Sequence, residues 1–274
     1  MKLYLSVDME GITGLPDQSF VSASRHNYER ARRIMTEEAN YVIEAAFQAG
    51  CSNVLVNDSH SKMNNILIDE LHPDAELISG GIKTYSMMHG IDSSFAGAMF
   101  IGYHSRAGMP GVMSHSMIHK IRNIYVNDIQ VGEIGMNAMI AGFYGVPVLL
   151  VSGDNETAKE ARELIPNVTS AIVKEAVSRS TVKSLSPKKA GALLQKKVKE
   201  AIESRNHTNP LQPPESPMLK VEFTNYGAAE LAHMMPGTEI IPDTTIVHYH
   251  AKDILEAYRA FLVMIELAAG AEYA

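Results

Sequence analysis

The chain has 274 residues, 46% hydrophobic and 20% charged, long enough for one large buried core or two modest ones. Its formal charge of −7 comes with no concentrated basic block, which argues against nucleic acid as a partner. A single cysteine, Cys51, excludes an internal disulfide framework and any Cys-rich zinc site, so a metal would have to be held by histidines and carboxylates.

The first apolar run, residues 3–7, reads as a strand and leads into Ser6-Val7-Asp8-Met9-Glu10-Gly11. Side chains alternate along a strand, so Asp8 and Glu10 would point the same way from one rigid element. Two like charges aimed at one place repel unless a cation sits between them, and hard oxygen ligands suit divalent metals. Taken alone, however, two acids at a strand end are an ordinary polar terminus. A loop through Gly11, Gly14 and Pro16 follows. Tyr28, Ala31, Met35, Ala39, Val42 and Ala46 then recur at helical spacing, and Gly50 stops the helix.

Residues 53–57 form a short apolar strand running straight into Asp58-Ser59-His60. A weaker strand is expected at 75–79. Residues 97–103 are apolar enough for a central buried strand, and it ends at His104. A polar group has now followed a strand three times. In open parallel sheets the carboxyl ends of the strands line one crevice where ligands bind, so Asp8, Glu10, His60 and His104 are expected to meet there. An isolated histidine says little; the set says more.

A Gly/Pro loop, Gly108 to His115, comes next, with His115 as its candidate acid or base. Runs at 118–126 and 129–131 flank Asn127-Asp128, which suits a hairpin turn. Glu133 then stands at the start of a buried helix reaching Tyr144. There it could favour the helix dipole or serve as a ligand aimed at the cleft. Glycines 132, 135 and 142 do not make a dinucleotide fingerprint. Another buried strand, 146–152, precedes a helix through Leu164, closed by Pro166. Residues 168–177 and a lysine-rich helix, 187–205, complete the first region, and the lysines at 196, 197 and 199 read as a solvated face.

Four prolines within 206–217 forbid regular structure and mark a linker. The expected division is therefore a metal-binding α/β catalytic region at 1–205, the linker at 206–217, and a C-terminal strand and helix region at 218–274 that packs on the sheet and on subunit interfaces. That last region offers strands at 219–223 and 244–250, a short helix at 228–234 and a long apolar helix at 252–269. No apolar run approaches about 18 residues, so no membrane is expected as a partner. The N-terminus reads as a strand instead of a signal segment, which points to a cytoplasmic protein. His248 and His250 share a strand face as a rival metal pair, without a carboxylate or third histidine nearby in sequence.

Several motifs together resemble one family. Ser6 to Gly11, Asn57-Asp58-Ser59-His60-Ser61, Gly102-Tyr103-His104, Gly111-Val112-Met113-Ser114-His115-Ser116 and Gly132-Glu133 are similar to those of the zinc-dependent D-aminopeptidases of the dipeptide-transport (DppA) type from Bacillus. The likeness covers essentially the whole chain. It implies two Zn2+ ions per subunit on Asp8, Glu10, His60, His104 and Glu133, with His115 assigned to catalysis, either as a proton shuttle to the leaving amine or as a nucleophile. It also implies an α/β subunit of two domains about a central, mainly parallel sheet with flanking helices. The assembly implied is a self-compartmentalising homo-oligomer, a decamer of two stacked pentameric rings, and the substrates implied are short peptides with N-terminal D-residues such as D-alanine.

Such a centre polarises a peptide carbonyl and lowers the pKa of bound water towards about 7. His60 and His104 should be backed by carboxylates or backbone carbonyls, with Asp58 one candidate by proximity. The alternatives are another two-metal hydrolase, acting on amides or phosphoesters, and a non-catalytic metal-stabilised binding or assembly protein. A serine-hydrolase reading arises from Ser114 and Ser116 beside His115, but neither lies in a nucleophile-elbow pattern.

Overall fold

A computed structural model describes residues 1–271 of the chain. The last three residues of the expected C-terminal region lie outside the described ones. The first half of the chain runs β1 (Lys2–Val7), α1 (Gln18–Val21), α2 (Tyr28–Gln48), β2 (Asn53–Asp58), β3 (Glu76–Ile78) and β4 (Phe95–Ile101). It continues with β5 (Ile121–Val126), β6 (Ile129–Val131), α3 (Glu133–Phe143), β7 (Val148–Gly153) and α4 (Asn155–Leu164). Then come β8 (Thr169–Ile172), β9 (Lys174–Ser178), β10 (Thr181–Ser184) and α5 (Pro187–Glu203). The remainder holds β11 (Met218–Phe223), α6 (Tyr226–His233), β12 (Thr238–Ile240), β13 (Ile246–His250) and α7 (Ile254–Ala269).

Six strands form a parallel sheet in the order β3-β2-β1-β4-β7-β8. Strand order reverses at β1, whose neighbours β2 and β4 both follow it in the chain. That reversal opens a crevice at the carboxyl ends of these three strands. β1 is buried on both faces, and its alternation feeds two cores. Leu3, Leu5, Val7 and, just beyond, Met9 pack with α2 and α5, whereas Tyr4 joins the core built around α3 and α7. Asp8 and Glu10 continue the Tyr4 phase, which sends them towards the start of α3. Each fully buried Leu or Val stabilises the sheet by about 1.5–3 kcal/mol, so a register slip that exchanged the two phases would be opposed by several such side chains at once.

The second sheet is antiparallel, in the order β12-β13-β11-β5-β6. Its β5–β6 hairpin turns at Asn127-Asp128, with Asn127 in the left-handed region at φ 55. The stretch 208–217 carries no helix or strand, in keeping with its prolines. Strands from both sides of it share this sheet, since β5 and β6 precede it and β11 to β13 follow. α7 packs on α6 and α3, so the antiparallel sheet presses its helices against the α3 face of the parallel one.

Candidate metal centre

Each of the strand-end residues arrives where the crevice requires it. Asp8 and Glu10 follow β1, His60 follows β2, His104 follows β4, and Glu133 opens α3 with Gly132 as its N-cap. All five are buried. Their ligating atoms converge: His60 Nδ1 lies 3.4 Å from Asp8 Oδ1 and 3.0 Å from Glu10 Oε2. His104 Nε2 lies 3.6 Å from Asp8 Oδ2 and 3.4 Å from Glu133 Oε2. Two donors on one tetrahedral zinc, with bonds of about 2.0–2.1 Å, stand about 3.3 Å apart, so these spacings fit a shared cation. Asp8 faces the His60–Glu10 group with one oxygen and the His104–Glu133 group with the other.

The donor chemistry fits as well. Asp8 Oδ2 is buried without a hydrogen-bond partner, and Glu10 Oε2 has only the His60 ring nitrogen beside it, a costly arrangement that a cation relieves. Both imidazoles are turned by backbone carbonyls. His60 Nε2 sits 2.7 Å from Val21 O, and His104 Nδ1 sits 3.0 Å from Ser105 O. Donation to those carbonyls leaves His60 Nδ1 and His104 Nε2 as free lone pairs facing the carboxylates, the tautomers a metal needs. Asp58, the carboxylate expected behind His60, does something else. It accepts from the backbone of Asn65 and Ile66 and from the Asn65 amide, which closes the loop after β2.

Crowding shows in the protonation equilibria. Burial and the neighbouring Glu10 charge push Asp8 up to about 7. Burial alone would lower His60 and His104, but the carboxylates overcome it and hold both well above the usual histidine range, Glu10 chiefly for His60 and Glu133 for His104. Burial likewise opposes the charge on Glu133, yet His104 holds that carboxyl below its usual value. A divalent cation would replace these protons as the partner of the carboxylates.

His115 stacks on His104, ring centroids 4.1 Å apart at 11°, and its Nδ1 lies 2.9 Å from Met113 O. Its Nε2 is left free. Burial, then the adjacent His104, pushes His115 down to about 4, so at neutral pH its ring is unprotonated. A ring nitrogen of His115 also lies within 4.8 Å of ligating atoms of His104 and Glu133. Glu133 is pinned by its other oxygen, which accepts from Met117 N at 2.6 Å. The cluster forms the floor of a cavity of about 670 Å3, whose wall includes Lys62, Met63 and, from α7, Leu262, Ile265 and Glu266.

A family model described as D-aminopeptidase matches residues 1–263. The chain belongs to the D-aminopeptidase family. A D-aminopeptidase from Bacillus subtilis (strain 168) is 61% identical over 268 residues, 98% of each chain. A solved structure of a zinc-dependent D-aminopeptidase from Bacillus subtilis, described as a self-compartmentalizing protease, superposes with a TM-score of 0.99. It is 59% identical and covers 100% of both chains. This family member is therefore a hydrolase and a metallopeptidase, and among its described residues no helix is long and apolar enough to cross a membrane.

Serine chemistry has no footing in this D-aminopeptidase fold. Ser114 Oγ donates to Met109 O and Ser116 Oγ accepts from Ala107 N, so both hydroxyls serve the loop. His248 and His250 stand 6.0 Å apart on β13; the carboxylate absent from their sequence neighbourhood is supplied by Glu239 of β12, 3.2 Å from His248 Nε2, in an exposed pair.

Two buried lysines that sequence reading passed over support the ligand loops. Lys174 Nζ donates to the carbonyls of Glu10 (2.5 Å), Ile12 (2.9 Å) and Leu15 (2.7 Å). Lys83 Nζ donates to Asn57 Oδ1 and Asp58 O, ahead of His60. Their signal in the sequence is faint: a lone lysine beside apolar Val173, and another after a Gly-Gly pair. The first loop is also packed against the segment that follows β4, since a Cβ on Gly11 would overlap the Tyr103 carbonyl.

Proposed function

We propose that this protein is a metallo-aminopeptidase that removes N-terminal D-residues such as D-alanine from short peptides, with two zincs per subunit. The observation that carries it is Asp8, whose two oxygens approach different histidine and carboxylate pairs, His60 with Glu10 and His104 with Glu133, in one continuous cluster. One zinc would rest on each group with Asp8 between them. When bound, the pair supplies Lewis acidity to the scissile carbonyl and a water acidic enough to ionise near neutral pH.

The chain's own residues supply the rest. His115, neutral and fixed at Nδ1 by Met113 O, presents Nε2 to the cavity, where it takes a proton and returns it to the leaving amine. His60 and His104 keep their tautomers through Val21 O and Ser105 O. The burial of all five ligands excludes bulk water and strengthens each interaction with the substrate. The chain is further proposed to work in the cytoplasm as a decamer of two pentameric rings; the self-compartmentalizing Bacillus relative supports an enclosed assembly.

The test is a panel of D- and L-amino-acid amides beside a phosphoester, run on chelated and zinc-restored protein. Zinc-dependent turnover of the D-amides, at about two zincs per subunit, is the expected result. Preferential phosphoester turnover would move the activity to another two-metal hydrolase, and no turnover by folded, zinc-loaded protein would leave a binding or assembly role.

A further inference from the structure

The cavity over the metal ligands does not end at His115. A second one of about 250 Å3 lies beyond it, and His115 and His119 line both. The His115 ring stacks on His104 at a centroid separation of 4.1 Å, and the His119 ring follows it, tilted by 49° with its centroid 5.0 Å away. The far wall of the second cavity includes Arg179, at the turn between β9 and β10. That turn is tied to the His115 loop twice, because Met113 N donates to Arg179 O at 2.9 Å and Arg179 Nη2 donates to Ser114 O at 3.0 Å. A guanidinium has five N–H donors in a rigid fork, so most of this one's remain for a ligand. Among the described residues no carboxylate pairs with it.

The two cavities differ in what they hold. The first is lined by Asp8, Glu10 and Glu133; the second has no acidic residue in its wall and has Arg179 and two histidines. A short peptide whose amino-terminal residue lies over the metal ligands carries its free carboxylate towards the second cavity, whose wall offers a guanidinium and no competing acid. At about 3.3–3.6 Å per residue, two or three extended residues span the distance from the metal ligands past His115 to His119.

Building on the aminopeptidase reading, we infer that the second cavity is the subsite for the terminal carboxylate of the leaving peptide, held by Arg179 with support from His119. The amino-terminal residue then lies over the metal ligands, the scissile bond lies beside His115, and the carboxylate reaches Arg179. Peptide length is selected because a longer chain has no carboxylate at that position, and a blocked one leaves the guanidinium unanswered.

The experiment compares kcat/KM for D-alanylglycine and for its C-terminal amide. Wild type is expected to favour the free acid by about 10- to 100-fold, the worth of one charge-assisted hydrogen-bonded pair. Arg179→Gln brings the acid-to-amide ratio close to one, chiefly through KM for the acid, and Arg179→Lys restores part of it. Zinc content is measured on every preparation. A wild-type ratio near one overturns the subsite. So does an Arg179→Gln loss shared equally by acid and amide, since a guanidinium that merely braces Ser114 would affect both alike. Failure of zinc-loaded wild type to cleave either substrate would instead remove the aminopeptidase reading, and the subsite with it.

Discussion

Lys174→Met tests whether the loop bearing Asp8 and Glu10 is held in place by one buried ammonium. The lysine opens β9, its side chain is only 1% exposed, and its three donors all go to carbonyls of that loop. Hydrogen bonds from a charged donor contribute about 1.5–3 kcal/mol each, so three amount to roughly 5–9 kcal/mol. Against this, burial pushes the Lys174 ammonium from 10.5 down to about 8, a burden of about 3 kcal/mol at 1.36 kcal/mol per unit that the neutral methionine escapes. The net loss is about 2–6 kcal/mol. For a chain of this size it lowers Tm by roughly 5–20 °C. Because the Glu10 carbonyl is among the three, zinc affinity should fall as well, by about 10- to 100-fold, as for other residues that orient a ligand from behind. Thermal unfolding of the zinc-free protein and competitive zinc titration against a chromophoric chelator measure the two effects separately. If the variant melts within about 2 °C of wild type and binds zinc equally well, the loop owes nothing to Lys174 and the reasoning fails.

Other outcomes follow from the same geometry. His115→Ala should keep its zinc and lose turnover by roughly 10²- to 10⁴-fold, whereas Glu133→Ala should lose metal and activity together; metal analysis and rates on the same preparations decide, and near-normal turnover or a missing zinc in His115→Ala refutes its assignment. Glu38, pushed up by burial from 4.5 to about 7, accepts from Thr13 N. Its folded value lies above its unfolded one, so the native state binds the extra proton and stability falls as pH rises through that window. Glu38→Gln should thus gain over wild type at pH 8, by at most about 3 kcal/mol, and little near pH 5; denaturant titrations showing the same difference at both values would contradict this. Val263 lies exposed on α7, so Val263→Asp should alter particle size in sedimentation while zinc content stays intact, if that helix faces a neighbouring subunit.

Much of the site could be read from the chain because its ligands sit at the ends of apolar runs. Asp8, Glu10, His60 and His104 each follow a strand whose composition announces it, and the rule that parallel strands share a ligand-binding edge brings them together. Glu133 was less legible, since a carboxylate at a helix start also suits the dipole; only the crossing of α3 under the β1 and β4 ends brings its Oε2 to 3.4 Å from His104. The β9–β10 hairpin gives no strand signal, because its residues after the buried Lys174 are mostly polar and exposed and show no alternation. β12 and α1, three and four residues long, are too short for any period to register. Yet α1 ends in Val21, whose carbonyl sets the His60 tautomer.

By itself the sequence determined the alternation of strands and helices, the buried faces of β1 and α2, and the candidate ligands at strand ends, because apolar periodicity is a local property of the chain. Tertiary structure alone decided that β5 and β6 join the strands beyond the linker, that Asp58 closes a loop instead of backing His60, and that Lys174 reaches a carbonyl 164 positions away. A period states which side of an element is buried and is silent about what lies against it. The partners of a lysine, a carboxylate or an edge strand are set by which distant segments pack together, and that is a property of the whole fold.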